Sequence, residues 1–244
     1  MFLLFRNFDG REAPDNLALT KEEIRHVKAR RLGPGAEVHF GDGVGRRWSG
    51  RLEPKGRWKR ERSRPETTRD EPGRVLCTAL PEGRRWDWLL QKAVELGVTR
   101  IQPVNYRRSV RREINPDRAH AVIVEAAAQS RRYLLPEIAS PLPLPELAET
   151  LAEMSVVYGL HYETSADPAA QDDADGADGA GDGSASMIQA TPEPVAIIVG
   201  PEGGFETEEV AMLRSIVNYR EVRLGENVMR VETAGVAMLA RLIV

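Results

Sequence analysis

The sequence predicts an α/β protein in which a small β-rich unit precedes a larger, mostly parallel sheet. Three observations carry this. From Arg74 onward, short apolar runs alternate with stretches of helical periodicity, the pattern of a parallel sheet with crossover helices. Before that point the apolar runs are separated by glycine-rich turns and interrupted by one helix. Between the two, residues 54–73 show no apolar periodicity and read as an exposed loop or linker. The 244 residues suffice for one large domain or two small ones, and the expected division is 1–72 and 73–244.

Taken in order, FLLFRNF near the start is a first strand. TKEEIRHVKARRL (20–32) is a helix, with Thr20 and Glu23 spaced as a capping box and Ile24, Val27 and Leu32 on its apolar side. GPG (33–35) ends it, and AEVHFGDGVGRRWSGRLE reads as two strands around GDGVG. RVLCTAL (74–80) opens the second unit as a strand. RRWDWLLQKAVELG follows as a helix with Trp86, Leu89, Leu90, Ala93, Val94 and Leu96 on one stripe and Gly97 just past its end. Trp86 and Trp88 are assigned to core or dimer packing. VTRIQPV is a strand, and INPDRAHAVIVEAAAQS is a helix with Asn115 as N-cap and Pro116 in its first turn. SVVYGL (155–160) and AIIVG (196–200) are buried strands. A helix over 207–217 with Thr207 as N-cap, the strand EVRLG (221–225) and the closing helix ETAGVAMLARLIV complete the pattern.

Composition excludes several classes. No apolar run approaches the roughly 18 residues of a membrane span, and MFLLFRNF lacks the features of a signal peptide. Cys77 is the lone cysteine, so no intrachain disulfide forms, and four scattered histidines make no metal-ligand cluster. The expectation is a cytoplasmic, metal-free protein. The segment HYETSADPAAQDDADGADGAGDGSASMIQATPEP has almost nothing to bury and reads as a disordered acidic insert over about 164–192. Its DDADGADGAGDG run lacks the bidentate Glu and flanking helices of an EF-hand.

The net charge of −3 hides segregation. Arg46–Arg64 carries nine basic residues and two acids; Arg84–Arg132 carries eleven and five; Glu163–Glu193 carries eight acids and no base. The two basic regions suit a polyanion such as RNA. An excess of 29 arginines over 5 lysines is also what a GC-rich genome produces, so charge alone leaves both readings open.

The chemistry-bearing motifs are two glycine-containing turns, VGPEGGF (199–205) and LGENVMRVETAG (224–235), each at the carboxyl end of a strand. Ligands collect there in open parallel sheets, and glycines let a ligand touch the main chain. Neither GxGxxG nor GxxxxGK[ST] occurs, which removes the common dinucleotide and P-loop readings. Two such turns, carrying Glu202, Glu232 and Arg230, point to one shared pocket.

GPEGGF followed by a helix, a strand and LGxxxxRxETA resembles the C-terminal signature of the SPOUT methyltransferases. More closely it resembles the ribosomal RNA small subunit methyltransferase E family. WDWLLQKAVELGVTRIQPV, RRSV (107–110), EAAAQSRRYLLPEI (125–138) and HVKARRLGPGAEV agree with that resemblance, which spans the chain except 54–72 and 164–192. It implies a C-terminal parallel-sheet SPOUT domain with a deep trefoil knot, one of the few exceptions to unknotted topology. It also implies a small N-terminal PUA-like β-barrel that grips RNA, and a homodimer. The implied activity is N3-methylation of a uridine in 16S rRNA of the small ribosomal subunit, with S-adenosylmethionine as cofactor. Alternatives are a SPOUT enzyme acting on a ribose 2′-hydroxyl and a non-enzymatic RNA-binding module.

Carried onto this chain, the resemblance implies a cofactor pocket with three walls. One is Gly159–Leu160, reaching His161. The second runs through Gly200, Glu202, Gly203 and Gly204. The third is Leu224, Gly225, Val228, Met229 and Arg230, continuing to Glu232 and Thr233. Leu224, Val228 and Met229 suit an adenine ring, while Glu202 suits either a place near the sulfonium cation or bracing of the loop through backbone N–H groups. Arg230 is the implied catalytic residue, with Arg108 and Arg131 as helpers; its plainer role is an ion pair with Glu232 or Glu202. His26, Lys28, Arg30, Arg31, Arg107, Arg108, Arg131 and Arg132 are the implied RNA contacts, with solvated surface as the plainer reading of each group. The family's usual Pro-Arg after Leu-Gly is replaced by Glu226–Asn227, and Val231 stands where Thr is usual.

Overall fold

The computed structural model describes residues 2–62, 64–67, 71–151, 153–160 and 193–242. His161 and the acidic insert lie outside the described residues. The chain begins β1 (Leu3–Phe5), β2 (Asn16–Ala18), α1 (Lys21–Ala29), β3 (Glu37–Gly41), β4 (Arg46–Glu53), β5 (Arg57–Arg60) and β6 (Glu66–Thr67). It continues β7 (Arg74–Thr78), α2 (Arg84–Glu95), β8 (Arg100–Asn105), α3 (Pro116–Ser130), β9 (Glu137–Ile138), β10 (Leu142–Pro143) and α4 (Leu144–Thr150). The last elements are β11 (Val156–Leu160), β12 (Val195–Val199), α5 (Thr207–Arg214), β13 (Tyr219–Val222) and α6 (Val231–Ala240). No helix among the described residues is long and apolar enough to cross a membrane.

The chain divides into two units: residues 1–71 with 116–136, and residues 72–115 with 137–244. The first holds a sheet in the order β1-β3-β4-β5-β2, with β6 also on β4. β1 and β3 run parallel and the other pairs antiparallel. Its core is aromatic: Phe40, Trp48 and Trp58 are fully buried. Phe40 meets Trp58 edge-on at 5.1 Å, and Phe8 meets Trp48 likewise at 5.1 Å. The Trp58 indole N–H donates to the Val38 carbonyl at 2.8 Å, so its polar end is satisfied inside the core. α1 starts with the expected reciprocal capping box of Thr20 and Glu23.

Two findings depart from the sequence reading here. Residues 57–60 and 66–67 are strands, not linker. β5 hides because Trp58 is its lone apolar residue among Arg57, Lys59 and Arg60, while Lys55 and Gly56, both at positive φ, turn the chain back onto β4. The segment 116–136 packs in the first unit, although the sequence reading set it with the second. After α3 the chain runs extended against the β3–β4 turn: the Leu135 amide donates to the Gly43 carbonyl at 2.9 Å, and Arg132 pairs with Glu71 at 2.6 Å.

The second unit is a parallel sheet in the order β10-β8-β7-β12-β11-β13, with β9 also on β8. β12 is buried along its whole length, as a central strand covered on both faces requires. α2 and α6 pack on each other and α6 lies over β12 and β7. Gly235 permits this approach, since a Cβ there would stand 3.1 Å from Leu89. Trp86 and Leu89 are buried, whereas Trp88 is exposed at 41% and contributes nothing to this core.

Candidate functional site

Three adjacent parallel strands of the second unit end at one level. Gly159 is in register with Ile198 of β12, and Leu160 with Val222 of β13. The turn after β12 (Gly200–Glu206) and the turn after β13 (Arg223–Arg230) therefore leave the same carboxyl edge, on either side of the end of β11. This brings together Leu160, Gly200, Glu202, Gly203, Gly204, Leu224, Gly225, Val228, Met229, Arg230, Glu232 and Thr233 as far as topology can: all stand at or just beyond three neighbouring strand ends.

The local shape follows from residue size. Gly159 leaves no room for a Cβ because the Tyr219 hydroxyl packs on it. Burial, more than the nearby Glu221, holds that phenol above its usual titration range. At Gly200 a Cβ would stand 2.7 Å from the Phe205 ring, so Phe205 folds back over the start of its own loop. Phe205 also meets Tyr106 edge-on at 5.2 Å. Gly204 (φ 73°) and Gly225 (φ 143°) adopt backbone that side chains disfavour, and open space surrounds both Cα positions. The turns thus expose bare main chain.

The turn after β12 is pinned from outside. Arg85, at the start of α2, donates to Glu202 Oε1 at 2.5 Å. Arg108, beyond β8, donates to the Gly203 carbonyl at 2.8 Å. The Arg107 amide donates to the buried Glu209 at 2.8 Å, and Glu209 in turn accepts from the Glu206 amide. The N-cap of α5 is thus Glu206 in a capping box with Glu209, one residue before the expected Thr207. Among the described residues, Glu202 braces its loop through a guanidinium, not through backbone N–H groups. Arg85, Tyr106, Phe205 and Glu209 went unread in the sequence because their roles depend on contacts between distant segments.

Charge is distributed unevenly at this edge. Arg230 is the exposed N-cap residue of α6 and pairs with no carboxylate among the described residues. The ion pair with Glu232 or Glu202 is therefore not formed. Glu232, in the first turn of α6, is 6% exposed, and its Oε2 has no hydrogen-bond partner among the described residues. A buried acceptor left without a donor costs free energy, about 1–3 kcal/mol. Val228 is 77% exposed, and Leu224 and Met229 are half-buried, so the apolar faces of this turn remain open. Cys77 sits fully buried in β7, where burial pushes its thiol up to about 12 and removes it as a nucleophile. No group of His, Cys, Asp or Glu among the described residues suits a metal ion.

The proposed RNA contacts fall in both units. His26, Lys28, Arg30 and Arg31 are exposed on and just after α1 of the first unit. Arg131 (φ 61°) and Arg132 also belong to the first unit. The Arg132 side chain is only 10% exposed and is held by Glu71, which takes it out of a surface role. Arg107 and Arg108 belong to the second unit, where Glu206 and Glu208 face them.

A family model described as the RNA methyltransferase domain matches residues 70–243. The chain belongs to this RNA methyltransferase family. Ribosomal RNA small subunit methyltransferase E of Mycobacterium bovis is 28% identical over 238 residues, covering 89% of this chain and 82% of the relative. The protein of the same name from Mesomycoplasma hyopneumoniae is 27% identical over 175 residues, 69% of this chain and 68% of the relative. The crystal structure of ribosomal RNA small subunit methyltransferase E from Neisseria gonorrhoeae, bound to S-adenosyl methionine, matches at a TM-score of 0.72 and 24% identity, covering 98% of this chain and 95% of that one. At that identity the likeness establishes the fold: an α/β methyltransferase architecture around a parallel sheet.

Proposed function

We propose that this RNA methyltransferase moves a methyl group from S-adenosylmethionine to N3 of a uridine in 16S rRNA of the small ribosomal subunit. The observation that carries the reading is the carboxyl edge itself: bare-backbone turns after β12 and β13 flank the end of β11, and one buried carboxylate oxygen there lacks a donor among the described residues. The residues fit this cofactor. Main-chain groups of Gly200, Glu202, Gly203, Gly204 and Gly225 offer hydrogen bonds, Leu160, Leu224, Val228 and Met229 offer apolar walls, and Glu232 offers an acceptor to a hydroxyl or ammonium donor. Bound there, the cofactor supplies an electrophilic methyl carbon on a sulfonium.

The chain's own residues do the rest by position and charge. N3 of uracil must lose its proton to solvent, and negative charge then builds on O2 and O4. Arg230, with no carboxylate spending its charge, stabilises that charge, and Thr233 lies in the same helical turn. Arg108 supports the cofactor loop, while Arg131 belongs to the first unit. The family names of the relatives support the small-subunit substrate. A PUA-like barrel for the first unit, a trefoil knot through the second, a homodimer and a cytoplasmic location complete the proposal.

Mass-spectrometric mapping of 16S rRNA nucleosides from a deletion strain tests it. Loss of N3-methyluridine, restored by the wild-type gene, is the expected result; its persistence overturns the assignment. An Arg230→Lys variant loses roughly 10²–10³ in kcat if the planar fork stabilises the developing charge. Full turnover in that variant removes Arg230 from the chemistry.

A further inference from the structure

The loop after β8 carries four arginines whose environments fall into two classes. Arg107 faces Glu206 at 3.3 Å and Glu208 at 3.1 Å. Arg108 faces Glu206 at 3.7 Å and holds the Gly203 carbonyl. Carboxylates largely cancel the charge of this pair. Arg111 and Arg112 differ. Arg111 donates to the carbonyls of Glu113 (3.0 Å) and Pro81 (3.3 Å), and Arg112 to those of Tyr106 (3.4 Å) and Arg107 (3.3 Å). A carbonyl orients a guanidinium but leaves its full positive charge in place.

Arg111 also lines a groove of about 690 Å³ with Glu82, Gly83, Arg85 and Val110. The groove is wide open to solvent, a shape suited to a polymer backbone lying across it and not to an enclosed small ligand. A bridge between Leu80 and Arg111 fixes one wall to the other. Of the two lining guanidinium groups, Arg85 is paired with Glu202 and Arg111 is held by carbonyls; Glu82 is the acidic lining residue, and Val110 is 82% exposed beside them. The groove touches the glycine loop through Arg85, whose partner is Glu202.

We propose that this groove, with the exposed Arg112 beside it in the chain, is an RNA backbone subsite: Arg111 contacts a phosphate from the groove lining and Arg112 a phosphate from outside it, while Arg107 and Arg108 serve as positioning residues for the turn after β12. The inference rests on the RNA methyltransferase reading and assigns different work to neighbouring arginines that look equivalent in sequence. Arginine forks held by carbonyls are oriented in advance, so binding a phosphate costs little ordering and breaks no ion pair.

The test is fluorescence anisotropy of a labelled, uridine-containing 12-nucleotide single-stranded RNA against the full chain over a range of salt, with calorimetry of S-adenosylmethionine binding alongside. Arg111→Ala and Arg112→Ala each lower the slope of log K against log salt by about 0.7, which near 0.15 M salt is a roughly fourfold loss of affinity. Both leave cofactor binding unchanged, and Arg111→Lys, which keeps the charge, retains the slope. Arg107→Ala and Arg108→Ala leave the slope unchanged, and Arg108→Ala weakens the cofactor. Should Arg111→Ala fail to fold, Arg112→Ala, whose side chain is exposed, decides. An unchanged slope in Arg111→Ala and Arg112→Ala, or a slope loss confined to Arg107→Ala and Arg108→Ala, overturns the subsite. A wild-type chain that binds RNA with these slopes but no S-adenosylmethionine overturns the enzymatic reading and leaves the subsite standing.

Discussion

The two units handle charge in opposite ways. In the first, Arg46, Arg47, Arg51 and Arg60 stand on strands, and each meets a carboxylate: Asp42 at 2.6 Å, Glu66, Glu61 at 2.6 Å and Asp15 at 2.5 Å. Arg6 meets Glu23, and Arg132 meets Glu71. At the carboxyl edge of the second unit, Arg111 and Arg112 lean on carbonyls, Arg230 has no carboxylate among the described residues, and Glu232 keeps a buried oxygen without a donor. In the first unit these strand arginines are neutralised by carboxylates of the same unit, although the buried Trp48 indole N–H has no acceptor among the described residues. At an edge shaped for a ligand, charged groups stay open because the ligand completes them.

Variants can break this contrast. The largest effect is expected from Trp58→Ala, which empties the aromatic core of the first unit and lowers unfolding free energy by about 3–5 kcal/mol in denaturant titration. If the units are as different as their charges imply, the same variant leaves the S-adenosylmethionine dissociation constant unchanged. Glu232→Gln comes next and should separate two quantities. Cofactor affinity falls on the order of tenfold, the worth of one hydrogen bond to a charged group, while thermal stability holds, because Glu232 Oε2 has no donor to lose among the described residues. A stability loss with unchanged affinity would mean that Glu232 is structural.

The smallest effect concerns pH. His39 of β3 is buried, with Nδ1 3.0 Å from the Ser49 hydroxyl and Nε2 3.1 Å from Glu37. Burial, aided by Arg47, lowers its pKa, against the opposing pull of Glu37 and Glu66. The neutral ring is thus the folded form. Its contribution is complete above the ordinary histidine value of about 6.5 and is lost as pH falls from there towards the lowered folded value. Thermal unfolding followed from pH 8 to 5 should show this decline, and His39→Gln should flatten that part of the profile. An unaltered profile would show that His39 does not carry the dependence.

Much of this was legible in the sequence where the signal is local. The Thr20–Glu23 capping box, the α2 stripe ending at Gly97 and the buried run of β12 all appear as read. β5 was not legible, because a single tryptophan among basic residues carries no period and its strand character comes from pairing with β4. β2, three residues long, was missed for the same reason, whereas α4 was legible, since Leu144, Leu147 and Leu151 keep helical spacing and are all buried. The second turn of the site was visible as glycines and a carboxylate, but the latch of Arg85, Arg108 and Glu209 on the first turn joins residues about a hundred positions apart.

The sequence by itself determined the alternation of strand and helix, the bare-backbone turns and the family, since each resides in short spacing and residue type. Only the tertiary structure decided that β11 lies between β12 and β13, so that two turns far apart in the chain share one edge. It also decided which arginines are neutralised and which keep their charge. Neighbouring residues of one type are equivalent along the chain. They become different only when folding sets a carboxylate against one and a carbonyl against the next.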